Sequence, residues 1–343
     1  MTLAFLRALS LAAILTATLV GSTWAEPDAT RILSLKPQAR PEINPVVSTV
    51  ALSPNGKLVA IGGDDHYVRV KNLLTGERVH MLGGHPDWVR AVRFSPDGKT
   101  LASAGDDGRV RLWDLSTGKL KTTLTEPNQV IYNLAYSPDG EHLVAVGFEK
   151  TMWMYDTATN KVCAQIGCPC RDMRAVAFSP NGKMMAAGGR NGKVRIWNID
   201  NHDVRHEMVL AHRRRIRCVA FSPDSGKLVT TGDDGRVRVW DTTTGEESIS
   251  FIARSAKVNA VLFYDRDRLA TAGSDNHVKL WDATTGKEIH RFTGHTGSIS
   301  SLVFDSQQDI LVSGSFDTTV RVWKIPQHLR GGAVRDNDTA RNN

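Results

Sequence analysis

The chain has 343 residues, of which 41% are hydrophobic and 23% charged, and its formal net charge is +7. These values are normal for a soluble globular protein and exclude a compositionally extreme chain. The length alone would indicate two domains, but the internal repeats described below replace that expectation with one domain.

The first 25 residues differ in character from the rest of the chain. Met1–Arg7 carries one positive charge, Ala8–Gly21 is apolar, and Thr23-Trp24-Ala25 offers small residues at the −3 and −1 sites of a cleavage point. This order is typical of a secretory signal peptide, and an apolar run of about 14 residues is short for a membrane span. We therefore expect cleavage after Ala25, export to a periplasmic or extracellular location, and no membrane span in the mature chain. An uncleaved anchor is the alternative.

The remainder of the chain repeats one pattern of short β-forming runs and turns. Phe94–Asp114 reads FSPDGKTLASAGDDGRVRLWD, with a Ser-Pro-Asp-Gly turn, a second turn at Asp106–Gly108 and a closing Trp-Asp pair. Equivalent positions recur at intervals of 42, 42, 42, 43, 41 and 42 residues, at Lys71, Trp113, Tyr155, Trp197, Trp240, Trp281 and Trp323. Such a period with Gly-His and Trp-Asp marks indicates four-stranded propeller blades. The sequence predicts an all-β, seven-bladed β-propeller of four-stranded antiparallel blades, one domain over residues 26–325.

The two ends of the repeat region complement each other. Arg31–Lys36 is a strand-like run with no partner before it, and it matches Glu288–Phe292, the outermost run of a later repeat. The last repeat ends at Val320–Ile325 without an outermost run of its own. We predict that residues 31–36 supply that missing strand and close the ring, which removes an exposed sheet edge. The polar residues 326–343 are predicted to be a disordered tail.

Export would make the four cysteines candidates for oxidation. Cys163 lies in an outer-strand run, Cys168 and Cys170 flank Pro169, and Cys218 lies at the start of another repeat. A bridge from Cys163 to Cys168 or Cys170 is the favoured prediction. The alternatives are four unpaired thiols, with Cys218 buried as a small apolar residue, and a metal site, for which a paired C-x-x-C spacing is lacking.

Residues 31–325 resemble the WD-repeat family of β-propellers. The Trp-Asp dipeptide is complete at Trp113-Asp114, Trp240-Asp241 and Trp281-Asp282, and the Gly-His mark stands at Gly84-His85 and Gly294-His295. We letter the strands of a blade a to d in chain order. The resemblance implies a hydrogen-bonded set formed by a His of the d–a connection, a Ser or Thr of strand b, an Asp of the b–c turn and the Trp of strand c.

Only blade seven contains the complete set that the resemblance implies. Its members there are His295, Ser315, Asp317 and Trp323, and the same structural role is expected for Trp113, Trp240 and Trp281. In five other blades a glycine stands where the hydroxyl is expected, at Gly63, Gly105, Gly189, Gly232 and Gly273. We therefore expect these residues to hold the blades together and to do no chemistry.

Four antiparallel strands place the connections of a blade alternately at its two ends. The a–b and c–d turns share one rim of the ring, here named the turn rim, and the b–c turns and d–a connections share the other, the connection rim. The turns of the turn rim are nearly uniform, whereas the d–a connections range from GGHPDW and TEPNQV to LAHRRR. Variable loops on a repeated framework are where recognition is expected.

The connection rim combines basic and aromatic residues on neighbouring blades. The candidate partner-binding residues are Trp88, Arg90, Tyr132, Phe148, Arg174, Arg190, Arg215, Arg217, Lys257 and Phe316. An arc of positive charge beside aromatic anchors suits an acidic peptide or another polyanion. A solvated basic loop without a ligand is the alternative. Nucleic acid is not expected, since no recognition motif accompanies the charge.

The chemically reactive residue types do not form a catalytic pattern. Asp64-Asp65, Asp106-Asp107 and Asp233-Asp234 are adjacent turn residues that point apart, whereas a catalytic pair needs one carboxyl with a raised pKa. The histidines at repeated d–a positions are interpreted as structural rather than metal-binding: His85, His212 and His295.

We therefore expect an exported, non-enzymatic platform that uses no metal or cofactor and binds a protein or peptide, in keeping with what the family resemblance implies. Two alternatives remain open. One is a propeller enzyme with a metal site at the rim or in the central channel, and the other is a structural subunit of an envelope-associated complex.

Overall fold

The computed structural model describes residues 29–34, 45–124, 126–168, 170–200, 204–208, 211–254 and 256–330. Over these residues the chain forms 28 strands, which are arranged in seven separate four-stranded antiparallel sheets. The innermost strand of each sheet contacts the innermost strand of the next, and those of the first and last sheets also touch. The predicted seven-bladed β-propeller is confirmed.

Each blade takes four strands, and six of the seven blades take them consecutively. Blades one to three contain β2 (Val47–Leu52), β3 (Leu58–Gly63), β4 (Val68–Asn72), β5 (Arg78–Leu82); β6 (Val89–Phe94), β7 (Thr100–Gly105), β8 (Val110–Asp114), β9 (Lys119–Leu124); and β10 (Ile131–Tyr136), β11 (His142–Gly147), β12 (Thr151–Asp156), β13 (Lys161–Gly167). Blades four to six contain β14 (Met173–Phe178), β15 (Met184–Gly189), β16 (Val194–Asn198), β17 (Val204–Met208); β18 (Ile216–Phe221), β19 (Lys227–Gly232), β20 (Arg236–Asp241), β21 (Glu247–Ile252); and β22 (Val258–Asp265), β23 (Arg268–Gly273), β24 (Val278–Asp282), β25 (Glu288–Phe292).

Blade seven joins the two ends of the repeat region. It contains β26 (Ile299–Asp305), β27 (Ile310–Ser315), β28 (Thr319–Lys324) and, as its outermost strand, β1 (Ala29–Ser34). β1 runs antiparallel to β28, with Ile32 opposite Arg321 and Leu33 opposite Val320. The predicted closure by an N-terminal strand is therefore confirmed. The strand begins at Ala29, two residues before the predicted range, and residues 35 and 36 lie outside the described part of the chain.

The strands differ in polarity because they differ in depth. The b strands lie between neighbouring blades and are buried on both faces; β11, with the sequence HLVAVG, is buried from its second residue onward. The d strands lie at the outside of the ring, and β9, with the sequence KLKTTL, is exposed over its first three residues. Apolar side chains of facing blades fill the space between them, so the core is divided into seven layers.

Backbone hydrogen bonds tie the loops of each rim together. On the turn rim, the amide of Leu115 in a c–d turn donates to the carbonyl of Lys99 in the a–b turn at 3.0 Å. On the connection rim, the amide of Asp106 in a b–c turn donates to the carbonyl of Trp88 in the d–a connection at 3.0 Å. The same pairs of loops therefore meet at the same end of the ring, as the strand order predicts.

The chain continues beyond the last blade for a few ordered residues. A 3-10 turn at Gln327–Leu329 follows β28, and Arg330 donates from Nε to the carbonyl of Ile325 at 3.2 Å. The described chain thus extends five residues into the range predicted to be a disordered tail. Residues 331–343 and the predicted signal peptide lie outside the described part. Within the described residues, no helix is long and apolar enough to cross a membrane.

The closing strand offers a test of ring closure. Leu33 is 5% exposed and packs in the core between blades seven and one, whereas Ile32, its neighbour on the same strand, is 48% exposed. We expect Leu33→Ala to lower the free energy of unfolding by about 2–3 kcal/mol and Ile32→Ala to change it by less than about 0.5 kcal/mol. Urea unfolding with the m-value checked measures both. Equal losses for the two variants would contradict the closure.

Candidate interaction surface

A chain of buried polar side chains anchors blade seven. The indole Nε1 of Trp323 donates to Ser313 Oγ at 2.7 Å, and Ser313 Oγ lies 2.7 Å from His295 Nε2. His295 Nδ1 lies 2.7 Å from a carboxylate oxygen of Asp317. Because a carboxylate only accepts hydrogen bonds, the imidazole proton is on Nδ1, and the Ser313 hydroxyl donates to Nε2. Blades two and five contain the same set, formed by His85, Ser103, Asp107 and Trp113 and by His212, Thr230, Asp234 and Trp240.

The hydroxyl of this set is Ser313 and not Ser315, so the predicted membership was wrong by two residues. Trp323 pairs with Leu311 across the strands, and its indole reaches only the next residue on that face, Ser313. Ser315 instead donates to the carbonyl of Gly297 at 2.8 Å, in the d–a connection. The set is therefore complete in three blades, and not in one blade as predicted.

The recurring glycine at the end of strand b has a different cause from a lost hydroxyl. A Cβ on Gly105 would lie 1.8 Å from the carbonyl oxygen of Trp88, because the d–a connection crosses directly over it. The same carbonyl accepts the hydrogen bond from Asp106 that joins the two loops. Glycine at this position therefore lets the d–a connection pack directly against the end of strand b. In blade seven a serine, Ser315, stands there and donates a hydrogen bond to the connection.

Blade six has a charged version of the set. The indole of Trp281 donates to Thr271 at 2.8 Å, as in the complete blades. Arg254 stands in place of the histidine and forms an ion pair with Asp275, which also pairs with Lys279 at 2.9 Å. The carboxylate at this position also has a partner in blades one and three, where Asp65 pairs with Arg69 and Glu149 accepts from the indole of Trp153. It therefore has a positively charged or N–H partner in six blades.

Most arginines of the predicted basic arc are paired with carboxylates. Asp172 accepts from Arg174 at 2.8 Å and from Arg215 at 2.5 Å. Asp233 accepts from Arg217 at 2.6 Å, and Arg215 lies 3.9 Å from its other oxygen. These five residues form one continuous chain of charges across blades four and five, with a net charge of one. The arc is therefore less positive than the sequence indicated.

Two of the predicted aromatic residues are covered by arginine. The guanidinium of Arg90 lies 4.3 Å from the ring centre of Trp88, and it also pairs with Asp106 at 2.6 Å. The guanidinium of Arg174 lies 3.9 Å from the ring centre of Tyr132. These stacked pairs hold both rings in place on the rim.

Another part of the predicted set is open to solvent. Phe148 is 43% exposed and Phe316 is 47% exposed, at the b–c turns of blades three and seven. Arg190 and Lys257 are also exposed, and among the described residues neither has a carboxylate within ion-pair distance. The structure thus divides the predicted residues into a group that is paired or stacked and an exposed group.

A cavity of about 380 Å³ lies where the central channel opens on the connection rim. We call it the channel cavity. Its lining holds five cationic residues and no aspartate or glutamate, and the cations are Arg90, Arg93, Arg174, Arg217 and Lys257. Sequence reasoning missed Arg93, since it lies within strand a rather than in a variable loop. The available signal was its charge at a position that is apolar in the other six blades.

Two family models match the chain. The model described as the IFT122 first beta-propeller matches residues 46–225, over half of the 343-residue chain, and the WD domain, G-beta repeat model matches residues 245–282 and 286–324. The chain belongs to the WD-repeat β-propeller family. WD-repeat propellers are typically platforms for protein interactions, and the connection rim is the part of this one whose loops vary most.

One stretch of this WD-repeat chain is similar to part of a protein kinase. The probable serine/threonine-protein kinase PkwA of Thermomonospora curvata is 48% identical over 42 residues, which are 12% of this chain and 6% of that kinase. The chain thus spans only a small part of the length of this relative, and 42 residues correspond to a single WD repeat.

The carboxylates of the b–c turns are occupied by structural partners. Asp64 accepts from the amide of Val46 at 2.8 Å, and Asp106 and Asp233 pair with arginines as described above. Among the described residues, the one cluster of side chains with metal-binding spacing is Asp139, Glu141 and His142, at an a–b turn on the turn rim. That cluster lies on the rim opposite to the one for which the alternative of a metal site was considered.

The predicted disulfide is not formed. All four cysteines are free, and Cys163 is exposed on the outer strand β13. Cys168 and Cys170 turn instead towards the core between blades three and four, where Cys170 Sγ lies 3.8 Å from the sulfur of Met173. Burial raises the pKa of Cys168 to about 12 and also raises that of Cys218, so both are neutral thiols.

The carboxylate of the buried set predicts a dependence of stability on pH. Burial acts to raise the pKa of Asp317, but hydrogen bonds from His295 and Thr319 outweigh it and hold that pKa well below its usual value. The carboxylate therefore stabilises the fold above the unfolded pKa of about 3.9, and this contribution is lost as the pH falls further. We expect Asp317→Asn to lower stability at pH 7 by about 1–3 kcal/mol and to weaken the acid dependence.

Urea midpoints between pH 2 and pH 7 measure this effect. Asp107 and Asp234 also have lowered pKa values, so some acid dependence remains in the variant. The exposed Asp87, whose carboxylate accepts only a local amide, supplies the control Asp87→Asn. Parallel curves for the wild type and Asp317→Asn would show that the buried carboxylate does not contribute.

Proposed function

We propose that this WD-repeat propeller is a non-catalytic platform whose connection rim binds a protein or peptide segment rich in acidic residues. The observation that carries the proposal is the exposed group on this rim, which combines apolar rings with cations that have no carboxylate partner within the described part of the chain. Phe148 and Phe316 would supply apolar contact area, and the cations would supply selectivity for negative charge.

The cations suited to this role are those that the fold does not already pair. Arg190 lies in the b–c turn of blade four, and Arg213 and Arg214 lie in the adjoining d–a connection, where all three are exposed. The amide of His212 donates to the carbonyl of Gly192 at 2.9 Å, which holds this connection against that turn. The three arginines are therefore neighbours on one part of the rim, and an acidic segment can contact them without breaking an existing ion pair.

A charge-reversal experiment tests the proposal. The probes are two fluorescein-labelled synthetic peptides of equal length and equal aromatic content, one with glutamates and one with lysines. We expect the acidic peptide to bind, more weakly as salt is raised, and Arg190→Glu/Arg213→Glu/Arg214→Glu to weaken it by at least about tenfold. Fluorescence anisotropy measures both effects.

The turn rim provides a matched control for that variant. Lys57, Lys99 and Lys183 are exposed in a–b turns, so replacing them with Glu changes the net charge by the same amount on the opposite rim. We expect this control to bind the acidic peptide as the wild type does. Equal binding of the two peptides, or equal loss in the two triple variants, would refute the proposed surface.

We also propose that the chain is exported. The support is the order of a charged start, the apolar run Ala8–Gly21 and small residues before Glu26. When the protein is expressed in its native cell, we expect the mature chain to begin at Glu26. N-terminal sequencing of the protein from the envelope or culture-medium fraction measures this. A chain that keeps Met1–Ala25 and stays in the cytosolic fraction would contradict export.

A further inference from the structure

Arg93 is the one charged residue at its position in the repeat. It is the fifth residue of strand a in blade two, and the other blades have Ala51, Ala135, Ala177, Ala220, Leu262 and Val303 there. Apolar side chains of different sizes therefore occupy this position in blades of the same fold. The fold does not require a guanidinium at this depth in the channel.

The guanidinium of Arg93 has neutral partners only. Nη1 donates to the carbonyl of Val92 at 2.8 Å, and Nη2 donates to Asn133 Oδ1 at 2.8 Å. Among the described residues, no carboxylate lies within ion-pair distance of it, whereas Arg90, Arg174 and Arg217 around it are all paired. Two hydrogen bonds use only part of the five N–H donors of a guanidinium. A partly buried cation without a counter-ion is costly.

The protein does not supply the missing negative charge through a thiolate. Cys218, from blade five, also lines the channel cavity. Burial raises the pKa of this thiol, so the sulfur is neutral. Burial also lowers the pKa of Arg93, as expected for a cation withdrawn from water without a charged partner.

The cavity around Arg93 has the size and the charge of an anion site. Its volume of about 380 Å³ lies within the range of ligand pockets, about 300–1,000 Å³. The carboxylates that neutralise Arg90, Arg174 and Arg217 lie outside its lining, and Arg93 and Lys257 are left without such partners among the described residues. The planar fork of a guanidinium matches the two oxygens of a carboxylate or phosphate.

We propose that the channel cavity is an oxyanion site in which Arg93, three residues further along strand a than Arg90 at the rim, and Lys257 at the mouth hold one carboxylate or phosphate group. The group can come from a free small anion or from an acidic side chain of the partner, and only the second source rests on the function proposed above. The site itself follows from the unpaired guanidinium and the acid-free lining.

Anion titration of the purified protein tests the site. The probes are inorganic phosphate and succinate, added at constant ionic strength in a chloride buffer, with binding followed by isothermal titration calorimetry and by the melting temperature. We expect one saturable site for at least one probe and a rise in melting temperature on binding. Arg93→Met should weaken that binding at least tenfold. Without anion its melting temperature should equal or exceed that of the wild type, because an uncompensated cation has been removed.

Two further variants make the outcome unambiguous. Arg171 is exposed on the same rim and outside the lining, so Arg171→Met removes an equal charge and should change anion affinity less than twofold. Lys257→Met should weaken anion binding several-fold. Because Lys257 is exposed, this variant also tests the site if Arg93→Met does not fold. Binding of neither probe to the wild type, or equal binding to the wild type and Arg93→Met, would overturn the site.

The labelled acidic peptide identifies the source of the group. Displacement of the peptide by phosphate, together with weaker peptide binding by Arg93→Met, would assign the cavity to an acidic side chain of the partner. Unchanged peptide binding in a variant that has lost phosphate would assign it to a free anion. If Arg190→Glu/Arg213→Glu/Arg214→Glu loses peptide binding and keeps phosphate binding, the three exposed arginines and the channel cavity are two separate binding sites.

Discussion

Each blade is joined to its own d–a connection at a crossing that leaves almost no space. The carbonyl of Trp88 lies where a Cβ of Gly105 would be, and it accepts a hydrogen bond from the amide of Asp106. Strand b must therefore end in glycine or in a small residue that can bond to the connection. This crossing brings the start of strand a beside the b–c turn, and for this reason Arg90 reaches Asp106. The connection rim, with its ion pairs and its channel mouth, depends on this contact.

Whether a cation of the connection rim is available to an anion depends on where it lies, and the number of cations alone does not decide it. Arg215 and Arg217 are close to carboxylates on their own and the preceding blade, so they serve mainly to position the loops. Among the residues that the structure describes, the exposed Arg190 has no ion-pair partner, and Arg93 lies in the channel without a carboxylate beside it. A partly buried charge without a charged partner gains more from a bound anion than an exposed one does, because part of its desolvation cost has already been met in the fold.

The fold could be predicted because its signal recurs in every repeat, and the closing strand could be predicted because the last repeat lacks one. The hydroxyl of the buried set could not be predicted, since Ser313 and Ser315 lie on the same face of strand b. Only the distance from the indole of Trp323 decides which of the two it contacts. The pairing of Arg215 with Asp172 was also hidden, because these residues are 43 positions apart and meet only across two blades. Motif spacing within one repeat carries no information on such contacts.

Blade four shows how the ring compensates where the buried polar set is lacking. Its residues at the hydroxyl and carboxylate positions are Ala187 and Asn191, and its indole, Trp197, is buried among methionines of blades three and four. Flexible thioether side chains fill such a core without fixing its geometry. Asp172, in the connection to this blade, pairs with Arg174 of the same blade and with Arg215 of the next. The ion pairs on the connection rim thus take the place of the buried polar set that blade four lacks. Arginines in these pairs hold the loops together and are therefore not available to bind a partner.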